Sequence, residues 1–397
     1  MEHGKRHNSY TSSEKQNVFC GRSRLWLNRF IKENIGLAYT TIGGLCSALL
    51  GAFFWFIIAS ILDVNDYGLL NYYIALASIF AALGTIGLDT TITTYLAKGE
   101  EEILYEANFL TFISGLLSAL ILSAFHWGSG LLSAATIFFT MTLAEMLGRR
   151  MYREYAILRI GQRLVQIILS ILLYFQIGIL GIILGYFLGY LSLSYKYFRS
   201  ATKFSLKINN LKEKYNFTLH SYGFNLIGSL SNYLDKIVIG TFFGYRTLGL
   251  YQLGFQFFML LNIIPGSLYR YLLPEESSGK SKTKIKMAGL ALAVVASLLL
   301  YILTPYLIEK LFPTFIDSIQ IIQIMSLAVI PSTAVAILTA TLIGREKSKN
   351  AFISGLVYLA SLIIGLIAMG RVMGNLGLAL TLVIAHAIQA IYLDANK

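Results

Sequence analysis

Long apolar stretches divide this sequence from residue 35 almost to its end. The hydrocarbon core of a membrane is about 30 Å thick, and about 20 residues of α-helix cross it. Counted with that length, the sequence contains twelve predicted spans: 35–62, 69–96, 107–125, 127–147, 157–175, 178–198, 218–243, 248–272, 287–308, 318–343, 351–370 and 374–393. The chain is therefore predicted to be an all-α polytopic membrane protein.

The composition excludes a soluble domain of this length. Of the 397 residues, 56% are hydrophobic and only 13% are charged, whereas soluble proteins carry about 25% charged residues. A net charge of +12 favours nucleic acid binding only where the basic residues share one face of a soluble domain. Here they lie between apolar stretches, so we expect a multi-pass protein of the cell membrane and no nucleic acid partner.

The distribution of basic residues predicts the orientation in the membrane. With the N-terminus in the cytoplasm, 28 of the 32 Lys and Arg residues fall in cytoplasmic segments. The amphipathic stretch 148–163, where the fourth span ends and the fifth begins, holds five of them: Arg149, Arg150, Arg153, Arg159 and Arg163. Cytoplasmic loops of membrane proteins carry such an excess, so both termini are predicted to be cytoplasmic.

Two segments that lie 181 positions apart align without a gap, residues 58–71 with residues 239–252. Each contains the end of one span, a tight turn and the start of the next span. Six spans separate the copies, so both have the same orientation, as in parallel repeats related by an axis along the membrane normal. The predicted organisation is a basic cytoplasmic segment (1–34), a six-helix lobe (35–198), a cytoplasmic linker (199–217) and a second six-helix lobe (218–397).

The sequence shows no constellation typical of an enzyme or of a bound cofactor. Cys20 and Cys46 are too few for a disulfide framework, and no Cys/His group has metal-ligand spacing. A Gly-rich phosphate loop with its Lys, a Ser/His/Asp grouping and an ATP-binding domain are also missing. We therefore expect no catalysis and no cofactor, and any transport would depend on a proton or sodium gradient, a substrate gradient or a partner.

Charged residues inside the spans are the most informative ones. An ionisable group at membrane depth costs a few kcal/mol and usually faces a cavity or a partner. Asp235 and Lys236 lie well inside the seventh span. Adjacent helical side chains point about 100° apart, so we expect the two not to pair directly, one lining a cavity and the other meeting a second helix. The alternative is a structural ion pair that joins two helices.

Five further residues complete the predicted substrate or ion pathway. Asp89 lies about two turns of helix from the inner end of the second span, and Arg270 lies near the inner end of the eighth. Arg270 either lines the cavity or extends to the lipid headgroups. Asn232, Tyr233 and Gln256 give the seventh and eighth spans polar faces, as expected where helices border water.

Two motifs accompany the twelve spans and the two lobes. Asp-Tyr-Gly-Leu-Leu-Asn stands at 66–71, and Tyr-Leu-Asp-Lys-Ile-Val-Ile-Gly-Thr-Phe-Phe-Gly at 233–244 leads to Leu-Gly-Leu-Tyr at 248–251. With these features the chain resembles, over nearly its whole length, the polysaccharide or O-antigen repeat-unit flippases. These belong to the multidrug/oligosaccharidyl-lipid/polysaccharide (MOP) superfamily.

The resemblance implies two lobes around a hydrated, often cationic cavity. It also implies translocation of polyprenyl-diphosphate-linked oligosaccharide units by alternating access, for surface polysaccharide or glycan assembly. The implied partners are the lipid-linked oligosaccharide, membrane lipids, a polysaccharide polymerase and other assembly proteins. A diphosphate does not cross hydrocarbon unaided, and Arg or Lys in a water-lined cleft would stabilise it; Lys236 and Arg270 are the candidates by position.

Two other functions stay open. A cation-coupled multidrug exporter of the same superfamily would use Asp235 and Asp89, and its cavity would be acidic with aromatic walls. A net basic cavity favours the flippase instead. A membrane-embedded glycosyltransferase or polymerase normally has a sizeable outside loop, and the outside connections predicted here are all short.

Overall fold

The computed structural model describes residues 12–200, 203–279 and 281–397, with side chains from residue 36 onward apart from that of Leu37. This part of the chain is almost entirely helical and contains no strand. Its helices are α1 Ser12–Ile61, α2 Val64–Thr85, α3 Leu88–Leu96, α4 Glu102–Ser123, α5 Trp127–Gly148, α6 Tyr152–Ile177, α7 Ile179–Ser192, α8 Tyr195–Ser200, α9 Asn209–Glu213, α10 Tyr215–Phe243, α11 Tyr245–Leu261, α12 Ile263–Ser277, α13 Thr283–Leu311, α14 Ile319–Leu327, α15 Val329–Gly344 and α16 Ser348–Ala395. A short 3-10 helix, Pro313–Ser318, precedes α14.

The helices match the predicted spans. Within the described residues, nine helical segments are long and apolar enough to cross a membrane. One of them, α16, bends at Gly374, where φ is 58°, and so contains the last two predicted spans. The shorter α7 and the charge-bearing α10 occupy the positions of the sixth and seventh spans. The chain is a multi-pass membrane protein, and its twelve predicted spans each correspond to a helical pass.

Four of the predicted spans are broken into two helices, one of them, the sixth, between α7 and α8. The second span breaks between α2 and α3, where Ile86 and Gly87 have φ values of 51° and 71°. A Cβ on Gly87 would stand 2.6 Å from the backbone nitrogen of Tyr222 in α10. The eighth span breaks at Asn262 and the tenth at Ala328.

The two repeat segments pack against each other through their glycines. A Cβ on Gly68 of α2 would stand 1.9 Å from the carbonyl oxygen of Tyr245, and a Cβ on Gly249 of α11 would stand 1.9 Å from that of Val64. Gly68 and Val64 are the counterparts of Gly249 and Tyr245, each 181 positions earlier. The contact is therefore reciprocal, which is the geometry of a two-fold axis between the repeats.

Aromatic side chains of both halves fill the space around this crossing. The Tyr67 ring meets that of Phe315 edge to face, with centroids 5.5 Å apart, and the Phe56 and Phe257 rings are 4.9 Å apart. Tyr67, Phe257 and Phe315 belong to one buried apolar cluster with residues from both halves. We call this the outer contact, because α2 and α11 begin at the end predicted to face outside.

At the opposite end the halves meet along α3 and α10. The hydroxyl oxygens of Thr91 and Thr218 lie 3.0 Å apart. The predicted linker adds a second connection, because the buried Glu106 carboxylate of α4 accepts hydrogen bonds from the backbone nitrogen of Leu211 (2.9 Å) and the side-chain amide of Asn210 (2.9 Å). We call this the inner contact.

His126 begins α5 with a side-chain cap. Its Nδ1 accepts a hydrogen bond from the backbone N–H of Ser129 at 3.1 Å, and its ring stacks on Tyr73 with centroids 3.8 Å apart. Burial lowers the pKa of the His126 imidazole below its ordinary value. The cap requires a neutral Nδ1, because a protonated nitrogen cannot accept.

We expect Gly68→Ala and Gly249→Ala each to lower the unfolding temperature of the detergent-solubilised protein. Each methyl group would push two helix backbones apart, and such overpacking costs about 1–3 kcal/mol or more. The matched control is Gly228→Ala in α10, where a Cβ meets nothing within 4 Å. Equal unfolding temperatures for all three variants would contradict the close packing of α2 and α11 at these glycines.

His126 should also make stability depend on pH. Because its folded pKa is lowered, its contribution is fully present above the unfolded pKa of about 6.5 and is lost as the pH falls below that value. Asn also caps helices but does not titrate in this range. The unfolding temperature of the native protein should therefore fall between pH 8 and pH 5 by more than that of His126→Asn. An equal fall in the two proteins would refute the role of His126 as a neutral helix cap.

Candidate functional site: a cavity between the lobes

A cavity of about 340 Å³ lies between the two contacts. Eight helices contribute to its walls: α1, α2, α5, α6, α7, α10, α11 and α12. Its charged, amide, hydroxyl and indole side chains are Trp55, Asn71, Ser78, Thr136, Arg163, Tyr186, Tyr190, Asn232, Tyr233, Lys236, Gln252 and Gln256. Across the described chain, the residues that line this cavity include two cations and no Asp or Glu.

Four of the seven predicted pathway residues line the cavity: Asn232, Tyr233, Lys236 and Gln256. The first three lie on α10, the helix in which the sequence places the buried charges, and Gln256 faces them from α11. Their roles in binding or transport stay predictions, since the geometry gives only their position.

Asp235 and Lys236 pair directly, so the expectation that they would not was wrong. The Lys236 Nζ lies 3.0 and 3.2 Å from the two carboxylate oxygens of Asp235, and 2.7 Å from the carbonyl oxygen of Asn232. The long side chain of Lys236 turns back along its own helix, which the angle between Cβ directions does not take into account. The Lys236 ammonium also lies 3.8 Å from the centre of the Phe255 ring.

The other part of the expectation, that one of the two residues lines a cavity and the other meets a second helix, describes the observed arrangement. Lys236 lines the cavity, whereas Asp235 is 1% exposed and accepts a hydrogen bond from the Tyr251 hydroxyl of α11 at 3.0 Å. The pair therefore also joins α10 to α11. Asp235 neutralises Lys236 from behind the cavity wall.

Asp89 and Arg270 lie outside the cavity lining. Asp89, at the start of α3, accepts hydrogen bonds from the Asn225 amide of α10 at 3.1 and 3.2 Å, so it belongs to the inner contact. Arg270 of α12 is exposed.

Arg163 is the cation that sequence reasoning missed. The sequence groups it with the other arginines of the basic stretch 148–163, although the predicted span 157–175 includes it; α6 begins still earlier, at Tyr152. At 1.5 Å per residue, Arg163 therefore lies about 16 Å along the helix. In the sequence Arg163 is not distinguished from the four arginines before it. The feature that could have identified it is the pair Gln162 and Gln166, whose helical spacing gives the same helix a polar face.

Amide side chains hold Arg163 in place. Its Nη1 donates to the Gln166 Oε1 at 2.9 Å, and Gln162 donates to the same oxygen at 2.9 Å. The guanidinium packs against α1 at Gly51; a Cβ added to Gly51 would stand 3.4 Å from the Arg163 Cζ. Its buried Nε has no partner among the described residues, and no described carboxylate pairs with it. Arg163 therefore brings an uncompensated charge to the cavity.

The cavity is open between α1 and α11. Leu49 of α1 and Met259 and Leu260 of α11 line the cavity and are still 47%, 41% and 37% exposed. Ile263 at the start of α12 is 38% exposed beside them. The opening between these helices is therefore lined by apolar side chains.

Removing one partner of the Asp235–Lys236 pair should destabilise the protein. Asp235→Ala leaves the Lys236 ammonium, whose side chain is 5% exposed, without a carboxylate, which costs about 3–5 kcal/mol. Adding Lys236→Met to the Asp235→Ala variant should recover most of the lost unfolding temperature, because it removes the unpaired ammonium. The control is Asp317→Ala, which breaks an exposed pair with Arg246 and should cost about 1 kcal/mol or less. A double variant no more stable than Asp235→Ala would contradict this.

The comparisons with known proteins agree with the fold. Two family models, both described as polysaccharide biosynthesis protein, match residues 35–147 and 130–306. The search of the curated proteins gave no match.

Solved structures of MOP transporters have the same fold. The lipid II flippase MurJ in an inward closed conformation matches with a TM-score of 0.69 and 16% identity over 90% of this chain and 87% of that one. An inward-facing MATE family multidrug resistance transporter matches with a TM-score of 0.68 and 13% identity over 87% and 92%. A MOP superfamily transporter from Pyrococcus furiosus matches with a TM-score of 0.53 and 14% identity over 90% and 91%.

This chain is therefore similar in sequence to polysaccharide biosynthesis proteins over residues 35–306, and it has the fold of the MurJ and MATE transporters.

Proposed function

We propose that this transporter moves polyprenyl-diphosphate-linked oligosaccharides from the cytoplasmic to the outer leaflet, for the assembly of a surface polysaccharide or glycan. The observation that carries the proposal is the charge of the cavity: Arg163 and Lys236 line it, and none of its described lining residues is acidic. Such a cavity attracts an anion. The family descriptions, which concern polysaccharide biosynthesis, point to the same class of substrate.

Arg163 would make the first contact with the diphosphate. No carboxylate of the described residues pairs with it, and hydrogen bonds from a guanidinium to phosphate oxygens are among the strong ones. Lys236 would contribute less in the state described here, because Asp235 and the Asn232 carbonyl already occupy its ammonium. A bound diphosphate would compete with Asp235 for that ammonium.

The opening between α1 and α11 supports a substrate with a lipid tail. The headgroup would lie among the polar residues of the cavity, and the polyprenyl chain would leave past Leu49 and Leu260 into the bilayer. A cavity of about 340 Å³ is within the range of ligand pockets, roughly 300–1,000 Å³. The whole hydrocarbon chain would therefore never have to enter the protein.

The same lining argues against export of cationic drugs. A cation in this cavity would meet Arg163 and no described carboxylate. The two acids that an exporter would use, Asp235 and Asp89, already have partners: Tyr251 and Lys236 bind Asp235, and Asn225 binds Asp89. Aromatic walls are present in Trp55, Tyr186 and Tyr190, but the acidic charge expected of an exporter is not among them.

We propose the orientation and the energy source on less direct grounds. The excess of Lys and Arg places both termini in the cytoplasm, so the inner contact would face the cytoplasm. The driving force would be a proton or sodium gradient or the gradient of the substrate itself.

The test is transport in proteoliposomes of a polyprenyl-diphosphate-linked oligosaccharide, with a cationic dye as the rival cargo. We expect movement of the lipid-linked sugar and none of the dye. Arg163→Gln should lower the rate more than tenfold, since it removes the uncompensated charge, and Lys236→Gln and Asp235→Asn should each lower it in properly inserted protein. Each assay is run with and without proton and sodium gradients.

Arg246→Gln is the matched control, because Arg246 is a cation of α11 that lies exposed and away from the cavity. Its rate should equal that of the native protein. Dye export with a motionless lipid-linked sugar would overturn the proposal. Normal rates in both Arg163→Gln and Lys236→Gln would remove the role assigned to the cavity charges.

A further inference from the structure

The two-fold relation between the repeats brings two amide side chains to the same cavity. Asn71 lies one turn after Gly68 in α2, and its counterpart 181 positions later, Gln252, lies one turn after Gly249 in α11. Their side chains are 3% and 2% exposed, and both line the cavity. The amides therefore stand one helical turn inward from the outer contact, one on each half of the protein.

The amide of Gln252 has no partner in the described chain. Its Oε1 is buried and accepts no hydrogen bond there, and none of the described residues pairs with its Nε2. Asn71 uses its Nδ2 to donate to the carbonyl oxygen of Tyr67 at 2.8 Å, which leaves its own oxygen for a second group. An unpaired buried amide destabilises a fold, so an amide at a cavity wall is available to hydrogen-bond a group that enters the cavity.

Aromatic rings stand beside the amides. Trp55 and Tyr186 line the same cavity, with ring centroids 6.2 Å apart. Trp55 also contacts Tyr67, whose carbonyl holds Asn71, at a centroid distance of 5.8 Å. Apolar ring faces with a few well-placed amides are suited to an uncharged polar ring with hydroxyl or acetamido groups. A sugar has both the polar groups and the apolar face.

We infer that Asn71 and Gln252 bind the sugar that follows the diphosphate and thereby distinguish a glycosylated lipid from the bare lipid diphosphate. The inference rests on the proposed function. The diphosphate would contact Arg163, and the sugar hydroxyl or amide hydrogens would donate to the oxygens of the two amides. A site built to hydrogen-bond a substrate group discriminates strongly against an analogue that lacks it.

The experiment compares the affinity of two lipids for the full chain in nanodiscs: polyprenyl diphosphate, and the same lipid carrying N-acetylglucosamine. The native protein should bind the glycosylated lipid at least tenfold more tightly. Gln252→Met, which keeps the length of the side chain and removes its hydrogen bonds, should remove most of that preference and leave the affinity for the bare lipid unchanged. Asn71→Leu should act in the same direction.

Two controls separate this inference from the proposed function. Arg163→Gln should weaken the binding of both lipids and keep their ratio. Gln323→Met should change neither, because Gln323 of α14 lies away from the cavity and donates to the Tyr301 carbonyl at 3.1 Å. Gln252→Met should also unfold at the same or a higher temperature than the native protein, because it replaces an unpaired buried amide.

Equal affinities of the native protein for the two lipids, with Arg163→Gln weakening both, would overturn the sugar site and leave the proposed function standing. Failure of the native protein to bind either lipid would overturn both. A Gln252→Met variant that keeps the native preference would show that the amide serves packing alone.

Discussion

The close approach of α2 and α11 at Gly68 and Gly249 is the contact on which the rest of the structure depends. Two backbones meet there with no room for a Cβ on either side. This contact sets how far apart the two halves lie, and the aromatic residues around it bury the outer end. The cavity begins one helical turn further along α2 and α11. Its width there depends on Gly68 and Gly249 having no Cβ.

The two cations that line the cavity are held differently in the two halves. The half that begins with α10 contributes Lys236, whose charge Asp235 neutralises from behind the wall. The other half contributes Arg163, which has no carboxylate partner among the described residues and is held by the amide of Gln166. An anion that enters the cavity would therefore meet one available cation and one that must first leave its partner. This difference provides a physical reason for ordered binding, with the α6 side first.

Much of the fold could be predicted from the sequence, and less of the site. Hydropathy located the spans, because a membrane requires apolar length. The glycines that the two repeats share, Gly68 and Gly249, lie within α2 and α11 and allow close packing, which the sequence alone does not show. The place of Arg163 at the cavity could not be predicted, since the predicted span 157–175 includes this residue but does not show which side of the helix faces the cavity. The pairing of Lys236 with Asp235 depends on a flexible side chain, which helical geometry does not determine. The unpaired amide of Gln252 is visible only in three dimensions.

The two halves are joined unequally along their length, although the repeats are alike. At the inner contact Thr91 of α3 meets Thr218 of α10, and Glu106 of α4 binds the linker. Beside the cavity, α1 and α11 instead carry exposed apolar side chains, Leu49 and Leu260 among them. A bulky label attached beside Leu49 would therefore stand over the open wall of the cavity, whereas the same label near Thr218 would stand over a closed contact.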